Sequence, residues 1–426
     1  MTATVAVFVI LLLIGTPIAL VMVFSGLAGA TSIGGLAFLE ILPDRMFSGV
    51  SGFLLMAVPY FIFTAELMNR AGLTQRLIDF NNALLGRVRG ALSHVNITTS
   101  LFFAGLTGAA ITDTVAVGKL MIPAMKKEGY PADYSAAVTA CSSVIGPIIP
   151  PSVVMIVYAT ILQDISVISL FIAGIVPGLL LTVALLSVSG FLAWRRNFPV
   201  HGDGGILLAL KAFLPTLPAL LVPVIILGGI LSGLSTVTEA SAFAAVYTIG
   251  IGMFVYRSLT LAQIWDALLT TVRLSGVVFF LLGASTVLGW FVTRSGITRE
   301  AAELIAAFSD NPLVQILMVN ALLLLVGTAV DVLPALVIVA PVLVPAMVQL
   351  GFDPLHFAMV MIIALNVGNV TPPVGMTLMT AARIAQVSYE SAIRASLPFY
   401  LSFLAVIVIV AVWPQIVLFL PQLLQQ

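Results

Sequence analysis

Four short stretches of this 426-residue chain put helix-breaking residues beside oxygen-bearing side chains in apolar surroundings. They are GLTGAAITD at 105–113, SSVIGPIIPPS at 142–152, GTAVD at 327–331 and NVGNVTPPVGMT at 366–377. Proline removes a backbone donor and its ring clashes with the preceding turn, so no continuous helix can pass Pro147, Pro150 and Pro151. At membrane depth, unpaired backbone groups persist only where protein buries them or a cavity takes them. A broken helix then offers two kinds of site. Its C-terminal end presents carbonyls, which suit a small hard cation such as Na+ together with Ser and Thr hydroxyls and Asn oxygens. The opposed N-terminal end presents N–H groups to an anionic substrate. The expected first Na+ site joins Gly105, Thr107, Gly108 and Asp113 to Ser142, Ser143, Gly146 and Pro147. The expected second joins Gly327, Thr328 and Asp331 to Gly368, Asn369 and Thr371. Pro150, Pro151, Pro372 and Pro373, with Thr377 and Arg383, are the expected substrate contacts.

Each assignment has a plainer counterpart. Ser142 and Ser143 can bond back to carbonyls one turn earlier, and Gly108 and Gly327 can serve close packing alone. Carboxylates in membrane segments are costly and usually functional, which singles out Asp113 and Asp331. Asp is also a favoured helix N-cap, so capping and ion binding both stand for these two. Lys119 and Arg383, the basic residues close to the breaks, either meet a substrate carboxylate or snorkel to the interface. The three histidines, His94, His201 and His356, are scattered, and Cys141 is the sole cysteine, which excludes internal disulfides and cysteine-rich metal sites. Na+ is the only metal expected, and no organic cofactor is. Two intramembrane aspartates also raise an aspartyl protease, whose carboxylates must share a proton at close range. Here they lie in different halves and lack a Gly-x-Gly-Asp context. No GxxxxGK[ST] loop supports ATP hydrolysis, and no arginine ladder or carboxylate ring supports a voltage sensor or open channel. The chain is expected not to be an enzyme.

The elements around these breaks are those of a polytopic membrane protein. Charged residues make up 8% of the chain against about a quarter in soluble domains. The net charge is zero, which gives no basis for a nucleic-acid partner. Apolar runs of spanning length recur at about 4–25, 50–68, 168–194, 213–232, 237–256, 274–292 and 396–420. The first has no basic segment before it and reads as a retained span rather than a cleaved signal. Residues 72–89 carry Leu73, Leu77, Phe80, Leu84 and Val88 on one helical stripe, the pattern of an amphipathic helix lying on the membrane surface; 298–308 is a second. The polar stretch 198–211 separates two halves.

Those halves repeat. A shift of 222 pairs Pro123, Ala124, Met125 and Gly129 with Pro345, Ala346, Met347 and Gly351. The same shift pairs Gly146, Pro150 and Pro151 with Gly368, Pro372 and Pro373. Most basic residues follow segments that would end on one side, the cytoplasmic one, leaving Arg45, Arg294 and Arg299 on the other. That threading makes 91–127 a re-entrant hairpin and gives its counterpart the opposite orientation. Inverted repeats with broken helices meeting near the midplane mark secondary transporters. The expected fold is therefore an all-α membrane protein with an inverted repeat, two re-entrant helical hairpins and discontinuous helices. Its expected parts are scaffold helices and a first arm at 1–90, transport-domain repeats at 91–163 and 312–384, scaffold helices and a second arm at 164–311, and a C-terminal scaffold helix at 385–426.

With these residues assembled, the chain resembles the large membrane subunit of the tripartite ATP-independent periplasmic (TRAP) transporters along essentially its full length. The most specific pieces are PYFIFTAELMNRAGLTQRLIDF at 59–80, RGALSHVNITTSLFFAGLTGAAITD at 89–113, IPAMKKEGYPADYSAA at 122–137, GPIIPPSVVMIVYA at 146–159, DVLPALVIVAPVLVPAM at 331–347 and NVGNVTPPVG at 366–375. The resemblance implies an architecture similar to divalent-anion/sodium symporters, a scaffold and a mobile transport domain, and an elevator driven by a Na+ gradient. It implies a bacterial inner-membrane location among lipid. The implied partners are a small four-helix membrane subunit and a periplasmic substrate-binding protein that delivers an organic acid, such as sialic acid or a C4-dicarboxylate. No fused four-span module precedes the first span, so the small subunit is expected as a separate chain. A self-sufficient sodium/anion symporter is the alternative. The family's first hairpin tip usually resembles SGSAVAD; here it reads TGAAITD, with Ala109 where serine is common and Thr112 where alanine is common.

Overall fold

A computed structural model describes residues 2–35, 40, 42–162, 165–200 and 205–424, with backbone alone for 2, 3, 33, 34, 104–107 and 206. Every long element among them is a helix. The first half runs α1 (Thr2–Leu13), α2 (Ile18–Gly34), α3 (Leu42–Val50), α4 (Ala57–Arg70), α5 (Leu73–Leu85), α6 (Ala91–Thr107), α7 (Ala110–Lys127), α8 (Ala132–Ser143), α9 (Val153–Ile161) and α10 (Val167–Arg195). The second runs α11 (Ile206–Leu231), α12 (Val237–Gly250), α13 (Leu261–Ser295), α14 (Ile297–Phe308), α15 (Pro312–Ala329), α16 (Val332–Gln349), α17 (Pro354–Gly368), α18 (Met376–Ala385), α19 (Tyr389–Val412) and α20 (Gln415–Leu424). The long apolar helices make this a multi-pass membrane protein.

Several expected spans differ in the structure. The run 4–25 is not one helix: Gly15, at φ +81°, and Pro17 turn the chain, and α1 packs back on α2. The run 396–420 likewise breaks at Trp413–Pro414 between α19 and α20. The run 274–292 is the distal part of α13, whose 35 residues extend about 52 Å, well beyond a hydrocarbon core of about 30 Å. Its extra turns begin with a capping box in which Thr260 and Gln263 satisfy each other's backbone N–H.

One end of the molecule is basic. There Arg70 reaches Asp266 at 3.7 Å, Arg76 stacks on Tyr256, Arg89 donates to Asn197, Lys126 donates to the Ala385 carbonyl and Arg196 lies over Tyr134. These contacts gather the open end of the α6–α7 hairpin, the start of α8 and α13, and the ends of α4, α10, α12 and α18. Hairpin α15–α16 opens at the other end, with α14 packed against α16. By length and composition α15 and α16 would each qualify as a span. Their shared turn instead lies against the break between α17 and α18, which makes them legs of a hairpin inverted relative to α6–α7.

The helices form two packing groups. Helices α2–α5 and α11–α13 pack among themselves, while α6–α10 and α15–α19 form the group that holds both hairpins and both breaks. Within the second group α10 packs on α19, α20, α6 and α17, and α19 packs on α8 and α17. Both are apolar on every side, and sequence alone did not show which neighbours their faces would meet. The arm α5 buries Leu73, Leu77 and Ile78 against α11 and α6, while Leu84 stays exposed for lipid. The second arm, α14, likewise buries Ile305 and leaves Leu304 and Phe308 exposed.

Candidate functional site

Each hairpin tip is seated in the break of the helix that follows it. Gly108, at φ +56°, turns the first tip, and a Cβ placed on it would lie 2.5 Å from the Val153 nitrogen and 2.9 Å from Ser152 Cα. Only glycine satisfies both the backbone conformation and the contact. At the second tip, a Cβ on Gly327 would lie 2.5 Å from the Leu365 carbonyl oxygen and 3.1 Å from Gly368 Cα. The tip is tied down there. Gly375 N–H donates to the Thr328 carbonyl at 3.2 Å, and Asn369 Nδ2 donates to Asp331 Oδ1 at 2.9 Å. Peptides Pro150–Pro151 and Pro372–Pro373 are both cis.

The breaks themselves are tight turns, and this revises the expectation of free carbonyls. The carbonyls of Ser142, Ser143, Val367 and Gly368 accept from N–H groups three residues on, and that of Asn369 accepts from Thr377. Ser152 Oγ donates to the Pro147 carbonyl at 2.7 Å, and Tyr400 and Tyr389 donate to the carbonyls of Val370 and Val374. A chain buried away from water engages its backbone groups wherever it can. The hydroxyls of Ser143, Thr328 and Thr371 also donate backwards along their helices, leaving their oxygen lone pairs available to a cation.

Asp113 stands out against this. It is fully buried in the first turn of α7, and neither carboxylate oxygen meets the geometric criteria for a hydrogen bond to any described residue. Ser100 and Ser143 are its polar neighbours. Behind them runs a network across α6 and α8. Asn96 Nδ2 donates to Thr139 Oγ1 at 2.7 Å, and Ser142 Oγ lies 3.1 Å from Ser100 Oγ and 3.2 Å from Asn96 Oδ1. Asp331 is the N-cap residue of α16 but makes no side-chain capping bond. Neither aspartate therefore caps through its side chain. A buried carboxylate in such a place is either held neutral by a proton or balanced by a cation.

The two tips and two breaks border one cavity of about 290 Å³. The starts of three helices line it: Ala109–Thr112 at α7, Val153 and Val154 at α9, and Asp331–Leu333 at α16. Pro147 and Asn366 complete that side. The opposite wall is Ile62, Ala65 and Glu66 of α4 and Leu274, Val277 and Val278 of α13. The cavity thus sits between the two packing groups. Three helix N-termini favour an anion, yet no described lysine or arginine lines the cavity and two carboxylates do, Asp331 and Glu66, the latter paired with Arg70 at 3.6 Å.

Of the expected substrate contacts, Pro150, Pro151, Pro372 and Pro373 hold the breaks without lining this cavity, and Thr377 is buried beside Asn369. Arg383 is exposed in the last turn of α18, with Nη2 near Met379 Sδ, and Lys119 borders a separate pocket under α5. Gly105 is described by its backbone alone, within α6, and the Thr107 side chain lies outside what is described. Glu66, Asn366 and the Asn96–Ser100–Thr139 network were not singled out from sequence. Each lies within a family-like stretch or beside a break, and an amide or carboxylate in so apolar a helix was the available signal.

Comparison with known proteins gives a family. Residues 5–416 match the tripartite ATP-independent periplasmic transporter DctM component. The chain is 38% identical over 415 residues to the sialic acid TRAP transporter large permease protein SiaM of Vibrio cholerae, covering 97% of this chain and 96% of that one. It is 36% identical over 381 residues to the sialic acid TRAP transporter permease protein SiaT of Haemophilus influenzae, covering 89% of this chain and 62% of SiaT. Among solved structures it resembles the YdaH transporter of Alcanivorax borkumensis, with a TM-score of 0.67 at 14% identity, covering 96% of this chain and 98% of that one. That likeness concerns the fold alone.

Proposed function

The chain belongs to the DctM family, the large permease component of the TRAP transporters of the bacterial inner membrane, and from that premise we propose that it carries an organic acid inward together with Na+. The observation that carries this reading is the charge balance of the central cavity. An organic anion must enter a site lined by Asp331 and by Glu66, whose charge is paired with Arg70 at 3.6 Å, and by no described basic side chain, with the buried carboxylate of Asp113 close behind the first tip. Helix N-termini supply about half a positive charge each, too little for that load. Co-bound cations restore the balance, so the acid binds well only when Na+ does. Asp113 with Ser100, Ser142 and Ser143 is the proposed first ion site, and Asp331 with Asn369, Thr328 and Thr371 the second.

The seam between the packing groups supports an elevator. Hairpins, breaks, α10 and α19 move together past α4 and α13, taking the cavity from one membrane face to the other. The basic end faces the cytoplasm by the distribution of arginine and lysine. The partners proposed are a small membrane subunit and a periplasmic binding protein; that the chain matches only 62% of SiaT supports a further membrane component. The name of SiaM supports sialic acid or a related carboxylate as cargo. The test is uptake into proteoliposomes bearing the permease, its membrane partner and a loaded binding protein. Replacing external Na+ by K+ is expected to abolish uptake, and uptake that continues in K+ would refute Na+ coupling.

A further inference from the structure

A second cavity, of about 540 Å³, lies on the same seam toward the end away from the basic surface. The same three helices line both. α9 gives Val153 to the central cavity and Thr160 to the outer one, α16 gives Asp331 and then Pro341, and α13 gives Val278 and then Thr293. Seven to fifteen residues of helix separate these pairs, about 10–22 Å. The cavities are consecutive stations between the two packing groups.

Their chemistry is opposite. The outer cavity is lined by Arg45 and Arg294 and by the hydroxyls of Ser48, Ser285, Thr286 and Thr293, and, among the described residues, by no carboxylate. Neither arginine makes a salt bridge to a described carboxylate. Arg294 is held over the Trp290 ring at 5.4 Å, and Thr286 Oγ1 donates to the Arg45 carbonyl at 2.7 Å, which fixes α3 against α13. An arginine fork matches a carboxylate geometrically. The central cavity, with Asp331 on its lining, Glu66 already paired with Arg70 and no described basic side chain, cannot draw an anion by its field; the outer one can.

We propose that the outer cavity is a capture site for the carboxylate of the transported acid, occupied before the acid reaches the central cavity. This rests on the inward transport reading above, since the outer cavity lies at the end assigned to the periplasm. A phospholipid phosphate offers a similar oxyanion, and the test separates the two. Cys141, the only cysteine, is fully buried, so a Thr293→Cys variant carries a single accessible thiol. The permease with its membrane partner is placed in nanodiscs, and the thiol is labelled with anionic, cationic and neutral methanethiosulfonates. The anionic reagent is expected to react faster than the cationic one, and Arg45→Gln with Arg294→Gln to lower that ratio about tenfold. Arg45→Lys with Arg294→Lys should restore it. Sialic acid or a C4-dicarboxylate should slow labelling by the neutral reagent, and glucose should not. A ratio unaffected by the glutamines overturns the proposal, as does protection that follows phosphatidylglycerol content instead of the acid. Intact Na+-dependent uptake with no protection refutes this inference alone. Protection without Na+-dependent uptake refutes the coupling and leaves the capture site standing.

Discussion

Replacing Gly327 by alanine tests the seating of the second hairpin tip. The new Cβ would lie 2.5 Å from the Leu365 carbonyl oxygen and 3.0 Å from Leu365 Cα, whereas ordinary contact begins at 3.4 Å. The obstacles are backbone atoms of the buried helix α17, so the tip must back away by about 1 Å rather than a side chain swing aside. Overpacking of this kind costs about 1–3 kcal/mol. The same displacement pulls the Thr328 carbonyl from Gly375 N–H and Asp331 from Asn369, the bonds that shape the proposed second ion site. If about 2 kcal/mol of this cost falls on the ion-bound state, the Na+ concentration for half-maximal uptake rises roughly thirtyfold. Uptake by reconstituted Gly327→Ala is measured across Na+ concentrations, beside Gly228→Ala in α11, where nothing lies within 4 Å of the added Cβ. The control should be neutral or stabilised by up to about 1 kcal/mol, as for alanine over glycine in a helix. Wild-type Na+ dependence in Gly327→Ala would refute the argument that tip contact shapes the ion site.

Three further outcomes are expected. Asp113→Asn removes the buried negative charge and should raise half-maximal Na+ at least tenfold, read from the same uptake curves, while detergent stability in Na+-free buffer holds or rises. Asp331→Ala should weaken Na+ dependence and destabilise the protein by about 1–3 kcal/mol, because the buried Asn369 amide loses its acceptor; undiminished uptake with normal Na+ dependence would remove Asp331 from the ligand set. Tyr389→Phe deletes the hydroxyl that donates to the Val374 carbonyl at 2.6 Å and should cost about 1 kcal/mol in thermal stability. A larger effect of Tyr389→Phe on Na+ affinity than on stability would mean that this carbonyl belongs to an ion site.

The breaks were legible because glycine and paired prolines cluster there beside hydroxyls and amides, whereas single prolines such as Pro123, Pro177 and Pro345 sit inside continuous helices. Gly146–Pro151 and Gly368–Pro373 stand in register 222 residues apart, and both hold turns at the cavity. Gly15 and Pro17 were equally visible, yet the length of the apolar run around them outweighed the punctuation and suggested one span. The grouping of α10 and α19 was not legible. Their apolar residues surround the helix, and lipid and protein neighbours demand the same residue types. Glu66 was hidden for another reason: it faces the cavity from α4, a helix far from both hairpins in sequence. Arg383 shows the converse, a residue close to a break in sequence whose side chain is carried away from the site by two turns of α18.

Na+ occupying the buried carboxylate site is what the proposed coupling requires, and thermal unfolding of the purified protein in detergent measures this directly. With Na+ at about a hundred times its dissociation constant, the ion-bound form gains about 2.7 kcal/mol. The wild type should therefore unfold at a higher temperature in NaCl than in KCl at equal ionic strength, and Asp113→Asn should lose most of that difference. Equal unfolding temperatures in the two salts for the wild type would contradict the account.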